Sequence, residues 1–308
     1  MIQDKPIVGI LLMLGFCIFA PIGDAVAKIL GTSVPLAQVV MIRFAVQLVV
    51  LLPLVWASRL SLRTGNRLFG YILLRTVLHV LGIWTMFIAL TYLPLADAIA
   101  IVFVMPFFML ILGKYVLGET VGRTRLIVCV AGFAGTLMVV QPSFATVGWP
   151  ALLPVFVAAN FSVFMLITRR IAKETDPISL QAISGAMAVV LMLPLLVLGP
   201  RLGIAALTPM MPTGGQWMLL LAIGLIGSIA HLLMTWSLRY APSATLAPMQ
   251  YLEIPFAVML GLVIFGDLPN ALAMLGIAIT MAAGLFIVLS EGASQRRLAR
   301  AAMPQPAE

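Results

Sequence analysis

Several small groups of polar residues interrupt an otherwise oily chain, and their spacing is what chemistry would need. Asp24 and Lys28 stand four residues apart in PIGDAVAKIL, which stacks them on one helix face within pairing reach. Arg75 and His79 repeat that spacing in LRTVLHV, and Gln250 and Glu253 share a face on either side of Tyr251, between Pro248 and Pro255. Arg43, Trp84, Asn160 and His231 stand alone in apolar surroundings. Carboxylates near cations can pair, bind a charged solute or hand on a proton, and a neutral histidine can relay a proton or simply bond a neighbouring helix. Covalent and metal chemistry is excluded more firmly. The chain has no HExxH, GxSxG or phosphate-binding loop, its two histidines are 152 positions apart, and Cys17 and Cys129 both lie inside apolar runs, so inert thiols are expected. Neither an enzyme, nor a metal site, nor a cofactor is expected.

The elements that carry these residues follow from composition. Of 308 residues 63% are hydrophobic and 9% charged, and the mean hydropathy of +1.17 is that of a membrane protein. Apolar runs of about 20 residues, enough to cross a ~30 Å hydrocarbon layer as helix, follow one another throughout. Breaks at Gly, Pro, Asn and charge clusters place ten spans, at about 7–30, 35–57, 70–92, 97–117, 124–141, 150–170, 178–199, 216–238, 245–265 and 271–289. The runs do not alternate as barrel strands would, so helices are expected. The first run continues past any cleavage site into Asp24 and Lys28 and is read as retained. With ten spans both termini share a side, which collects Lys5, Arg59, Arg63, Arg67, Arg123, Arg125, Arg169, Arg170, Lys173, Arg239, Arg296, Arg297 and Arg300, whereas the opposite loops hold Arg201 alone. This asymmetry makes the termini cytoplasmic and explains the formal charge of +8 without a nucleic-acid partner. Trp56, Tyr71, Tyr92, Tyr115, Trp149, Trp217 and Tyr240 fall near span ends, where interfacial aromatics belong.

A charge at mid-membrane costs ~3 kcal/mol, so each deep one needs a partner, a cavity or an escape to the surface. For Asp24 and Lys28 two readings stand: a lysine reaching the outer surface with Asp24 as counter-ion, or a cavity face loosened by Pro21. Arg43 is too deep to reach the surface; it is read first as a structural ion pair with Asp24 or Glu253, and second as an anion-binding group. Arg75 is near enough to the inner surface to extend there. Asn160 is either interhelical glue or a substrate contact. The two prolines make span 9 irregular, a feature tolerated where backbone is buried or lines a cavity.

The chain also matches itself. YLPLADA (Tyr92–Ala98) answers YAPSATL (Tyr240–Leu246) and Gly118-Glu119 answers Gly266-Asp267, both at an offset of 148; Pro106 answers Pro255 with a slip of one, and VPLAQ (Val34–Gln38) answers DPISLQ (Asp176–Gln181). A unit of five spans inserts its two copies in opposite directions, the inverted repeat common in secondary transporters, with a site near the midplane between the copies. The KIL at Lys28, the IRF at Ile42 to Phe44, ALTYLPLADA at Ala89 to Ala98, LGE at Leu117 to Glu119 and FGD at Phe265 to Asp267, in this order and duplication, resemble the drug/metabolite transporter superfamily, specifically its ten-helix EamA-type bacterial members. The resemblance covers roughly residues 7–290. It implies an all-α integral membrane protein of two inverted five-helix repeats, 1–145 and 146–290, followed by a basic cytoplasmic tail, 291–308. It also implies a cavity lined mainly by helices 1, 3, 4, 6, 8 and 9, alternating access and no cofactor, in the bacterial inner membrane. Candidate substrate contacts are Asp24, Lys28, His79, Trp84, Asn160, Gln250, Tyr251 and Glu253, with Arg43 and Arg75 as structural ion pairs or gates. Cations beside carboxylates favour a zwitterionic or amino-acid-like metabolite. The alternative is a larger aromatic or nucleoside-containing metabolite or vitamin, like riboflavin or S-adenosylmethionine, met by Trp84, Tyr251 and Gln250. Protons are an optional coupling ion, and the assembly is a monomer or a dimer in the lipid bilayer.

Overall fold

The computed structural model describes residues 5–118, 121–140, 147–266 and most of 271–289. Glu119, Asp267, Gly284, Arg296, Arg297 and Arg300 lie outside the described residues, as do the side chains of Pro106, Arg125 and Pro248. Among the described residues the chain is helical throughout. We number its spans α1 (Pro6–Leu30), α2 (Leu36–Ala57), α3 (Asn66–Tyr92), α4 (Leu95–Leu117), α5 (Arg123–Val140), α6 (Trp149–Ile171), α7 (Pro177–Leu202) and α8 (Gly214–Tyr240). Then comes α9, assembled from Ser243–Leu246, Ala247–Leu252, Glu253–Leu260 and Gly261–Phe265, and finally α10 (Met274–Ala283). Seven of these are long and apolar enough to cross a membrane. Large apolar side chains such as Val49, Ile127 and Val190 point outward, and Trp56, Tyr92, Tyr115 and Trp149 stand exposed at helix ends. A bundle whose outer surface meets lipid turns its sorting inside out relative to a soluble domain, so polar groups collect between the helices.

The repeat is written in the backbone as well as in the sequence. At the offset of 148, Leu93 and Ala241 are both extended helix ends (φ −116° and −137°, ψ 147° in each), and each is followed by a proline that opens the next helix. Gly118 (φ 67°) and Gly266 (φ 72°) end α4 and α9 in the left-handed region, which glycine alone adopts without a Cβ penalty. Within these two helices Phe103 (φ −72°, ψ 9°) and Leu252 (φ −71°, ψ −9°) both leave ideal helix. The interruption in α9 is a 3₁₀ stretch from Ala247 to Leu252, as its prolines required. Phe103 and Tyr251, equivalent positions, meet with ring centroids 5.8 Å apart. Packing obeys the same symmetry: α1 lies against α8 and α6 against α3, pairs that exchange under the repeat, while α2 packs on its own counterpart α7. Pro21, by contrast, does not interrupt α1, which runs unbroken from Pro6 to Leu30.

Candidate functional site

One half of the bundle is sealed by buried polar groups. The Arg75 guanidinium is completely buried, far from the surface it was expected to reach. It donates from Nε to Thr168 Oγ1 on α6 (2.8 Å), from Nη1 to Ser184 Oγ on α7 (2.9 Å) and from Nη2 to Thr235 Oγ1 on α8 (3.5 Å), and lies over the Phe164 ring at 4.6 Å. Hydroxyls, not a carboxylate, hold it. Beside it Gln47 Nε2 of α2 donates to Gln181 O (2.7 Å), and Gln181 Nε2 donates in turn to His231 O (2.8 Å). His79 and His231 meet Nε2 to Nε2 at 3.1 Å, so one ring donates and the other accepts across the gap between α3 and α8. Both Nδ1 atoms lack a partner, and no third metal-ligating side chain joins the two among the described residues. Nearer the loops on this side, Arg169 donates to Leu238 O (2.7 Å) and Arg239 faces Asp176 at 3.6 Å.

The other half holds a cavity whose empty space is about 710 Å³, its open side included. Its walls come from α1 (Phe16, Phe19, Ala20, Gly23, Asp24), α2 (Arg43), α3 (Ile83, Met86, Phe87), α4 (Ile99, Val102, Met105), α6 (Val157, Phe161) and α8 (Ile223, Gly227, Ala230, His231). Against the expected lining, α2 takes a place and α9 contributes none of these residues. On α1 the lining residues recur at intervals of three, four, seven and eight, one stripe of a helix. Phenylalanines from three helices line the space, and its charged lining residues are Asp24 and Arg43.

Arg43 does not form the ion pair expected of it. Asp24 is within its electrostatic reach, yet among the described residues no carboxylate comes within 4.0 Å of the guanidinium and no hydrogen bond is made to it. The head of Arg43 crosses α8 at Gly227, where a Cβ would stand 2.6 Å from Nε. Its side chain is 93% buried, being 7% exposed.

The remaining expected contacts are dispersed. Lys28 parts from Asp24: its Nζ donates to Leu93 O (3.1 Å) and lies 5.0 Å over the Phe265 ring. Asn160 donates to Leu78 O (2.7 Å), joining α6 to α3. Trp84 is half-buried and packs against the core outside the cavity. On α9 the Gln250 amide reaches the sulfurs of Met109 (3.3 Å) and Met165 (3.2 Å), and the Tyr251 hydroxyl donates to Cys129 O (2.9 Å), with its ring over Gly132. Glu253 is buried on the part of α9 that packs against α1, within electrostatic reach of Asp24 and Cys17. The phenylalanine walls and Gly227 went unnoticed in the sequence, although the stripe on α1 was visible there.

A cavity walled by helices of both repeats, near the middle of the bundle, is the arrangement of a membrane transporter built from repeats. The comparisons agree. The EamA-like transporter family matches the chain twice, at residues 7–141 and 148–289, and the chain belongs to that family. It is 34% identical to a riboflavin transporter of Rhizobium johnstonii over 73% of this chain and 72% of the other. It is also 29% identical to a riboflavin transporter of Vibrio cholerae over 96% and 98%, and 27% identical to an S-adenosylmethionine uptake transporter of Rickettsia felis over 89% and 90%. A solved crystal structure shares the fold with a TM-score of 0.71 at 19% identity, over 92% of this chain and 96% of its own. The protein is therefore a multi-pass membrane transporter of a small metabolite, not an enzyme.

Proposed function

We propose that the protein moves a flat, ring-bearing metabolite of the flavin type across the bacterial cytoplasmic membrane. The observation that carries this reading is the cavity wall: Phe16, Phe19, Phe87 and Phe161 around a space edged by one cation and one anion. Ring faces against a planar cargo give apolar burial and aromatic contact together. An amino-acid-like zwitterion was the first expectation from the intramembrane charges, but Lys28 and Glu253 contribute nothing to the lining, so half of that argument falls away. The names of the relatives point to the ring-bearing alternative. With the termini cytoplasmic, as the basic loops indicate, the cavity faces outward and Arg75, His79 and His231 belong to the closed inner gate.

Purified protein in liposomes tests the reading by uptake of labelled riboflavin, S-adenosylmethionine and an amino acid. S-Adenosylmethionine is the informative comparator because it carries both a ring and a zwitterionic end. Saturable riboflavin flux is expected. Amino-acid flux without riboflavin flux would restore the zwitterion, and flux of neither ring compound would sink the proposal.

A further inference from the structure

The contrast between the two buried arginines carries one step more. Arg75 has its donors met by Thr168, Ser184 and Thr235. Arg43, buried too but lining the cavity, has none met among the described residues: Nη1 is buried without an acceptor, and the head lies beside Gly227. Asp24 edges the same space and feels Arg43, but no ion pair within 4.0 Å joins them. A buried guanidinium without an acceptor and a carboxylate lining the same apolar space leave a donor and an acceptor available to an occupant of the cavity.

The occupant must then offer acceptors to Arg43 and a donor to Asp24 at one edge. A carboxylate or phosphate suits Arg43 but is repelled by Asp24, and an ammonium suits Asp24 but is repelled by Arg43. A small zwitterion satisfies both charges and leaves the four phenylalanines without a partner, and a ring-bearing zwitterion such as S-adenosylmethionine is the rival that the uptake comparison separates. A neutral imide edge, carbonyl, N–H, carbonyl in one plane, meets both groups and extends into a ring that fits the aromatic walls.

We propose that the cavity recognises its cargo by such an imide edge, the carbonyl oxygens accepting from Arg43 and the N–H between them donating to Asp24. The ligand class is the pyrimidinedione ring systems: flavins, pteridinediones and uracils. This rests on the flavin reading of the same cavity and narrows it to one edge of the molecule.

The test uses the reconstituted wild-type protein and competition against labelled riboflavin. Lumichrome keeps the ring and the imide edge without the tail, 3-methylriboflavin replaces the imide hydrogen with a methyl group, and ribitol is the tail alone. Lumichrome is expected to compete within about tenfold of riboflavin and 3-methylriboflavin at least about tenfold more weakly, with no competition by ribitol. Equal competition by riboflavin and its 3-methyl derivative overturns the imide edge and leaves the flavin reading standing. Should riboflavin not be carried at all, the flavin reading fails, and heat stabilisation of the detergent-solubilised protein by lumazine but not by 3-methyllumazine still supports the edge; equal stabilisation, or none, overturns it. In the same assay Arg43→Gln is expected to weaken riboflavin about 10- to 100-fold, with its denaturation midpoint measured alongside. An unchanged affinity in a folded Arg43→Gln protein also overturns the assignment.

Discussion

Gly227→Ala separates the position of Arg43 from the stability of the bundle. An alanine Cβ would lie 2.6 Å from Nε and 2.8 Å from Nη2 of Arg43. Relief to ordinary contact near 3.4 Å asks the guanidinium to withdraw by about 0.8 Å. No backbone atom is among the nearest atoms met, so the helices need not move; the atoms in the way are the end of a long side chain. Glycine to alanine inside a helix gains about 1 kcal/mol of propensity, so the folded protein is expected to keep or raise its denaturation midpoint. Recognition should suffer instead. A hydrogen bond lengthened by about 0.8 Å is lost, and one made by a charged group is worth about 1.5–3 kcal/mol, so a rise of about 10- to 100-fold in the KM for riboflavin uptake is expected. Initial uptake rates by liposomes across a range of riboflavin concentrations, with thermal denaturation of the same preparation, give both numbers. A folded variant with unchanged KM would refute the placement of Arg43 at the cargo. A variant that loses stability would show that Gly227 is there for packing.

Other consequences of the structure can be measured separately. Thr168→Val with Ser184→Ala strips two acceptors from Arg75 and leaves a buried charge underpaired, a loss of about 2–4 kcal/mol in unfolding; adding Arg75→Met should recover part of it, and a further fall would mean that packing over Phe164, not the hydroxyls, holds α3 in place. Tyr251→Phe removes one hydrogen bond to Cys129 O and should cost about 1 kcal/mol with riboflavin KM unchanged; a raised KM would return α9 to the cargo path. Reporters fused after Ala307 and inserted near Thr64 should read cytoplasmic and one near Ser143 external, and an external signal at the C-terminus would reverse the orientation used above.

The fold was legible because a membrane leaves few choices. Once apolar runs must be helices, the repeat reduces to register, and a proline after an extended residue or a glycine at a helix end leaves a mark in the sequence: Leu93 with Ala241 and Gly118 with Gly266 are the same backbone events seen twice. The site was less legible for the opposite reason. In so oily a chain each polar residue stands out and invites a functional reading, yet Asn160, Gln250 and Tyr251 use their hydrogen bonds to join helices. The residues that line the cavity, Phe16, Phe19, Phe87 and Phe161, look in sequence like any lipid-facing or packing side chain.

The two arginines show where the missing information resides. Both are deep, both belong to the first repeat, and in sequence neither has a carboxylate on its own helix face. What divides them is the chemistry on other helices: α6, α7 and α8 turn hydroxyls toward Arg75, and α8 turns a bare Gly227 toward Arg43. A buried guanidinium with acceptors is a strut, because its desolvation is already offset. One without them keeps that cost until something enters the cavity, so binding begins from a site that is under-satisfied when empty. Under the proposed reading the preference among cargoes arises there: one that meets Arg43 and Asp24 and lays a flat ring on the phenylalanine walls removes that penalty more completely than one that meets either alone.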